Sequence, residues 1–342
     1  MARIVLGMGL AHTPQMHTPP EQWQARIEAD RRNPALWFRG KSYDWEGLCA
    51  HRNSENLAAQ AEPEERTRRH QRANAAVEVL ARAWQEARPD VAVIMGNDQH
   101  ELFVEDVMPA FTIFWGKEVQ NLPSREDQAR RKPPGIHIAH HGHAPEVPLM
   151  HPGCPELGRL MIERTMRDGF DVAQSQWLRE ADQRISFSTG MPHAYGFVYR
   201  NVMNDQVPPH VPVIINTFYA PNQPTAARCL ELGRSLGRAI REWKSDARVA
   251  VIGSGGLSHF VIDEQFDHAF MHALVRADHD ALVNHPESWF QAGTSECKNW
   301  IAAAGALEGA GLQAEVVDYV PCYRSEAGTG TGAGFVLWKE AA

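Results

Sequence analysis

Four short apolar runs, residues 4–6, 91–95, 211–215 and 249–252, constrain this chain more than any other feature. Uninterrupted apolar runs this short read as strands buried on both faces rather than as helices. Longer stretches with apolar residues at helical spacing separate them. In 62–88, Ala73, Val77, Leu80, Ala81 and Trp84 recur on one side, and 224–244 carries a similar pattern. Strand alternating with helix predicts an α/β fold: a single domain over 1–342 with a central mixed sheet flanked by helices and functional groups at the strand-end loops. Further strands are expected at 2–8, 111–115, 314–319 and 334–338, and further helices at 157–168, 263–283 and 295–309. Two stretches break the rhythm. Residues 18–60, with Trp23, Trp37, Phe38, Tyr43 and Trp45, read as a helical, aromatic-rich insertion. Residues 120–153, rich in Pro and His, read as a loop or lid.

The formal charge of −8, with no Arg/Lys run to offset it, argues against nucleic acid or an anionic membrane as partner. Five scattered cysteines without a C-x-x-C pair suit a reducing compartment, and a cytoplasmic location is expected. No leader pattern opens the chain and no apolar run is long enough to span a bilayer.

The placement of the 17 histidines is informative. His12, His100, His193 and His259 each stand at or near a junction where an apolar or glycine-bearing segment gives way to a loop, the place where α/β sheets collect functional groups. Two neutral imidazoles and one carboxylate would leave open positions on an octahedral ion, a set suited to Fe(II). The candidate carboxylates are Asp98, Glu101 and Glu296; Asp98 could instead orient a histidine through its ring N–H. Tyr195, beside His193, is a candidate donor toward substrate. The cluster His137, His140, His141, His143 and His151 lacks strand support and reads as a solvated loop covering the site. The glycine runs 253–256 and 328–334 fit no phosphate-loop pattern and read as tight turns. Ser258–His259 lacks the G-x-S-x-G elbow of a serine hydrolase.

Four segments together resemble a known family: G-M-G-L-A-H-T-P at 7–14, N-D-Q-H at 97–100, P-H-A-Y-G at 192–196 and G-S-G-G-L-S-H at 253–259. In order and placement they resemble the class III extradiol ring-cleavage dioxygenases, the protocatechuate 4,5-dioxygenase catalytic-subunit superfamily, over roughly residues 2–310. The T-P-P-E-Q-W segment and the chain length are similar to the 3-O-methylgallate and gallate dioxygenase branch. The resemblance implies a non-haem Fe(II) held by His12, His100 and Glu296, with His259 as acid–base group and His193 bordering substrate and oxygen. Family members often read N-D-H where this chain reads Asn97-Asp98-Gln99-His100. The implied substrates are a catecholic or gallate-type aromatic acid and O2, and the implied assembly is a homodimer or larger homo-oligomer. Competing readings are a zinc-dependent or other metal-dependent hydrolase on a related scaffold, extradiol cleavage of an aminophenol or dihydroxypyridine, and a non-catalytic binder of aromatic ligands.

Overall fold

A computed structural model describes residues 1–124, 133–178 and 190–341. The strands are β1 (Arg3–Leu10), β2 (Leu36–Phe38), β3 (Lys41–Tyr43), β4 (Val91–Asn97), β5 (Phe111–Phe114), β6 (Glu118–Asn121), β7 (Leu149–Pro152), β8 (Ala173–Ser175), β9 (His210–Ile215), β10 (Arg248–Ser254), β11 (His259–Val261), β12 (Gln313–Tyr323) and β13 (Thr329–Lys339). Nine of them form one mixed sheet in the order β11-β13-β1-β10-β4-β9-β5-β8, with β12 on the other side of β13. The centre, β1-β10-β4-β9, is parallel. Its apolar runs are buried on both faces, as expected for strands covered by helices above and below.

Alternation along the strands sends neighbours to opposite layers. Val93, Met95, Val249 and Val251 join the core beneath the helices Ala226–Glu242, Cys297–Leu307 and Pro155–Arg167. Ile94, Ile252, Met8 and Leu10 join the core under the helices Pro63–Ala87 and His193–Asn201. Each such side chain contributes on the order of 1.5–3 kcal/mol by leaving water.

The helix Cys297–Leu307 is wholly buried. It lies close against Ala226–Glu242 because Gly233 faces it: a Cβ there would sit 2.0 Å from the Ala302 carbonyl oxygen. At its start, Asn299 Nδ2 donates to the Ser254 carbonyl (2.8 Å) and Trp300 Nε1 to that of Gly255 (2.8 Å). These bonds pin the N-terminus of the helix, and with it Glu296, beneath the carboxyl end of β10.

Several local expectations change. The glycine run 328–334 is not a turn between two short strands. Most of it lies inside β13, where bulk is excluded; a Cβ on Gly332 would stand 2.0 Å from Asp267 Oδ2. The segment at His193 is a helix rather than a loop. The 18–60 stretch holds short helices and the β2–β3 hairpin. Its Trp23 and Trp45 are core residues, so packing accounts for those two. The 120–153 stretch is partly ordered: β6 pairs with β7, and a 3-10 turn covers Ile136–Gly142. Residues 125–132 of that expected lid lie outside the described residues, as do 179–189 of the expected approach to His193. Among the described residues no helix is long and apolar enough to cross a membrane.

Candidate metal centre

The carboxyl ends of β1, β4 and β10 open into one cavity of about 240 Å³. That is where ligands sit in open α/β sheets. His12 arrives just past β1, Gln99 just past β4, and Gly256 and His259 just past β10, while His193 begins the helix His193–Asn201. Glu296 closes the floor, 1% exposed.

Three imidazoles face this carboxylate, and in each the proton has a fixed place. Ser254 Oγ donates to the Ala194 carbonyl (2.7 Å), so it can only accept from His12 Nδ1 (3.0 Å). His259 Nδ1 lies 2.8 Å from the Leu257 carbonyl, which can only accept. His193 Nδ1 lies 2.7 Å from Glu101 Oε2, and the His193 amide donates to the same carboxylate. Each ring therefore carries its proton on Nδ1 and presents Nε2 as a lone pair. A carboxylate behind the proton-bearing nitrogen, as at His193, is the usual support of a metal-ligating histidine.

His12 Nε2 is 3.3 Å from Glu296 Oε2, and His259 Nε2 is 3.4 Å from the same oxygen. The other oxygen, Oε1, accepts from Asn97 Nδ2 and Gln99 Nε2 (both 3.1 Å), and the Gly256 amide donates to Oε2 (2.9 Å). Burial raises the Glu296 carboxyl, while His12 and His259, when they carry a second proton, pull it well below the usual carboxylate range; with both rings neutral, a bound cation would take over that role. Burial lowers His12, against the pull of Glu296. The donor atoms of His12, His193 and Glu296 lie within 4.8 Å of one another; among the described residues no other group of three or more His, Cys, Asp or Glu side chains comes so close. Two neutral imidazoles and an ionised carboxylate fit a divalent transition metal with open positions. The fourth group, His259, is held by geometry rather than charge: a Cβ on Gly293 would stand 2.0 Å from its Cδ2, so only glycine lets the ring lie there.

Of the sequence candidates, His12, His193, His259 and Glu296 come together in this cavity. His100 does not. Asp98 accepts from the backbone amides of Glu101, Leu102 and Phe103 (2.8–3.0 Å), which turns the chain tightly after β4. His100 takes a left-handed conformation in that turn (φ 58°) and swings outward to stack on Tyr219, with ring centroids 3.8 Å apart. Gln99 points inward instead, and His193 completes the cluster. Asp98 is thus a turn-former; burial, with Glu101 nearby, pushes it up to about 7. Glu101 supports His193.

Tyr195 also departs from expectation. Two residues along a helix turn the side chain about 200° away from His193. Its hydroxyl donates to the Gly96 and Val213 carbonyls (3.1 and 2.7 Å), inside the core. Tyr195→Phe is expected to cost roughly 1 kcal/mol of stability in urea unfolding and to leave substrate KM unmoved. A KM change without a stability change would put the hydroxyl back in the site. Among the described residues the histidines of 137–151 form no group of three metal-ligating side chains; their stretch roofs the cavity through Ile136, Ala139, Gly142 and His143. Arg26 and Arg324 line the cavity too, and the residue pattern gave no sign of either.

Known proteins resemble this chain over parts of its length. Residues 48–335 match the family model described as the catalytic LigB subunit of aromatic ring-opening dioxygenase. A "2,3-dihydroxyphenylpropionate/2,3-dihydroxicinnamic acid 1,2-dioxygenase" of Comamonas testosteroni is 27% identical over 184 residues, 54% of this chain and 47% of that protein. An enzyme of the same name from Photorhabdus laumondii is 29% identical over 207 residues, 58% of this chain and 51% of that protein. A "Gallate dioxygenase" of Pseudomonas putida is 34% identical over 107 residues, 29% of this chain and 28% of that protein. The matches to the two dihydroxyphenylpropionate enzymes thus span about half of their length. With a family match over most of its length, a cavity at the strand ends and a His/Glu cluster on its floor, this chain belongs to the catalytic LigB family of aromatic ring-opening dioxygenases, within the class III extradiol superfamily.

Proposed function

We propose that this protein opens the ring of a catecholic or gallate-type aromatic acid with O2, using Fe(II) held by His12, His193 and Glu296. The observation that carries this reading is the set of three imidazoles, each with a hydrogen-bond partner fixing Nδ1, gathered around one buried carboxylate. Bound there, iron would supply a template for both diol oxygens and O2 and a path for electron density between them.

The rest is the work of the chain. His259 Nε2 is the lone pair available to take a proton from a substrate hydroxyl, and the Leu257 carbonyl steadies the imidazolium that results. The same ring then holds that proton for return to a developing oxyanion. Glu101 fixes the tilt of His193, and Ser254 fixes that of His12. Asn97, Gln99 and Gly256 donate to Glu296 and keep it ionised and oriented. Phe197, Phe260 and Trp23 give the cavity apolar walls that fit an aromatic ring and exclude water. At about 240 Å³ the cavity falls below the roughly 300–1,000 Å³ of sites for drug-sized ligands, so it suits one ring rather than several.

The test is oxygen uptake by anaerobically purified, Fe(II)-loaded protein with gallate, 3-O-methylgallate, protocatechuate, catechol and 2-aminophenol, each with parallel absorbance scans. Uptake with a new yellow or near-ultraviolet product is expected for an acidic diol. No uptake at verified iron occupancy, together with hydrolysis by the zinc-loaded protein, would replace the reading with a hydrolase.

A further inference from the structure

The cavity lining holds a second polar group besides the three imidazoles and Glu296. The 3-10 helix Pro20–Arg26 of the aromatic insertion delivers Arg26 to its wall. Arg26 Nη1 is buried, yet it has no hydrogen-bond partner among the described residues. A buried guanidinium nitrogen left unpaired is costly, and folds avoid it unless something else supplies the acceptor. The nearby carboxylate does not supply it. Asp30 is taken by Arg324, whose Nε and Nη2 donate to its two oxygens at 2.6 and 2.8 Å, and by Thr329 Oγ1 at 2.7 Å. Arg324 also lines the cavity, but Asp30 neutralises it. Two guanidinium groups and one carboxylate leave one uncompensated positive charge in this part of the cavity lining. Burial and the neighbouring Arg324 push Arg26 down to about 10, which still leaves it charged at neutral pH. His17 lines the same cavity, and its Nε2 is likewise buried without a partner.

We infer that Arg26 is the specificity-determining residue for the acid group of the substrate: a carboxylate on the aromatic ring pairs with Arg26 Nη1, with His17 Nε2 as a second donor, while the ring hydroxyls face His12, His193 and His259. The inference rests on the ring-opening reading for the identity of the diol end, but the anion end stands on its own residues. It assigns the aromatic insertion a task, since Pro20–Arg26 brings a cation to the wall of a cavity whose floor is anionic. A pairing of charged groups in a dry cavity is strong and directional, and a neutral ester offers no equivalent.

The test compares protocatechuate with its methyl ester, in the absence of oxygen and with iron(II) present, by calorimetric titration of the wild type, Arg26→Met and Arg26→Lys. The wild type is expected to favour the acid by about 30-fold or more, Arg26→Met to bring acid and ester within about threefold, and Arg26→Lys to fall between. The unliganded Arg26→Met protein is expected to melt no lower than the wild type, because the substitution removes an unpaired buried charge. Three results would overturn the inference: no preference for the acid in the wild type (including failure to bind either compound), a preference kept by Arg26→Met, or a clear loss of stability in that variant. Oxygen uptake separates the two claims. If the wild type opens acid and ester rings equally well, the proposed reaction stands and the role of Arg26 falls. If Arg26 governs binding of the acid and no uptake occurs, the reverse holds.

Discussion

Glu296→Ala is expected to lose bound iron and, with it, all measurable ring opening. Glu296 is the one carboxylate of the cluster and sits where His12, His259 and Gly256 converge. Removing a ligand should exceed the roughly 10–100-fold loss of metal affinity that follows removal of a ligand's supporting hydrogen bond. The variant also strands the amides of Asn97 and Gln99, both of which donate to Oε1. A stability loss of about 1–3 kcal/mol is expected from those buried donors. Iron content by metal analysis and unfolding in urea read the two effects separately. Full iron content in the variant would remove Glu296 from the ligand set.

His259→Phe is expected to separate chemistry from metal binding. The ring lies beside Glu296 but outside the closest donor cluster, so iron content should stay near that of the wild type. Turnover should fall by about 10²–10⁴-fold, the usual contribution of a placed acid–base group. Phenylalanine fills the same space between Gly256 and Gly293, where a Cβ on either glycine would press on the ring. The fold is therefore expected to survive. The measurements are initial rates of oxygen uptake and iron per chain on one preparation. Wild-type rates at full iron occupancy would exclude His259 as the proton carrier.

How much of this was legible in the sequence differs from element to element, for physical reasons. The central strands could be read because burial on both faces demands unbroken apolar runs, and 91–95 and 249–252 meet that demand. The long helix Pro63–Ala87 was legible from its apolar periodicity. The helix at His193 was not, because six consecutive residues of its nine, 194–199, are buried and leave no apolar–polar alternation to mark a period. Missing that helix caused the error at Tyr195. The β2–β3 hairpin and the β6–β7 pair have strands of three or four residues, too short to carry an alternation signal.

Of the candidate residues, His12, His193, His259 and Glu296 gather in one cavity, while His100 and the Tyr195 hydroxyl point elsewhere. His12, His259 and Glu296 sit beside rigid strand ends or the start of a buried helix, so their direction follows from their position. His100 points outward because the turn after β4 is set by Asp98, whose carboxylate collects three backbone amides and rotates the next residues. An Asp just past a strand is a known former of such turns. Its effect on which of Gln99 and His100 points inward is a tertiary fact. Arg26 was illegible for another reason: in sequence it is one arginine of a polar insertion, and only packing shows that its Nη1 is buried and unpaired.

The most direct test of the central claim is iron per chain after anaerobic reconstitution of the wild type, His193→Ala and His100→Ala under identical conditions. The geometry predicts about one iron per chain for the wild type and for His100→Ala, and a small fraction of that for His193→Ala. Loss of iron from His100→Ala with full retention by His193→Ala would contradict the assignment and place the second histidine ligand on the turn after β4.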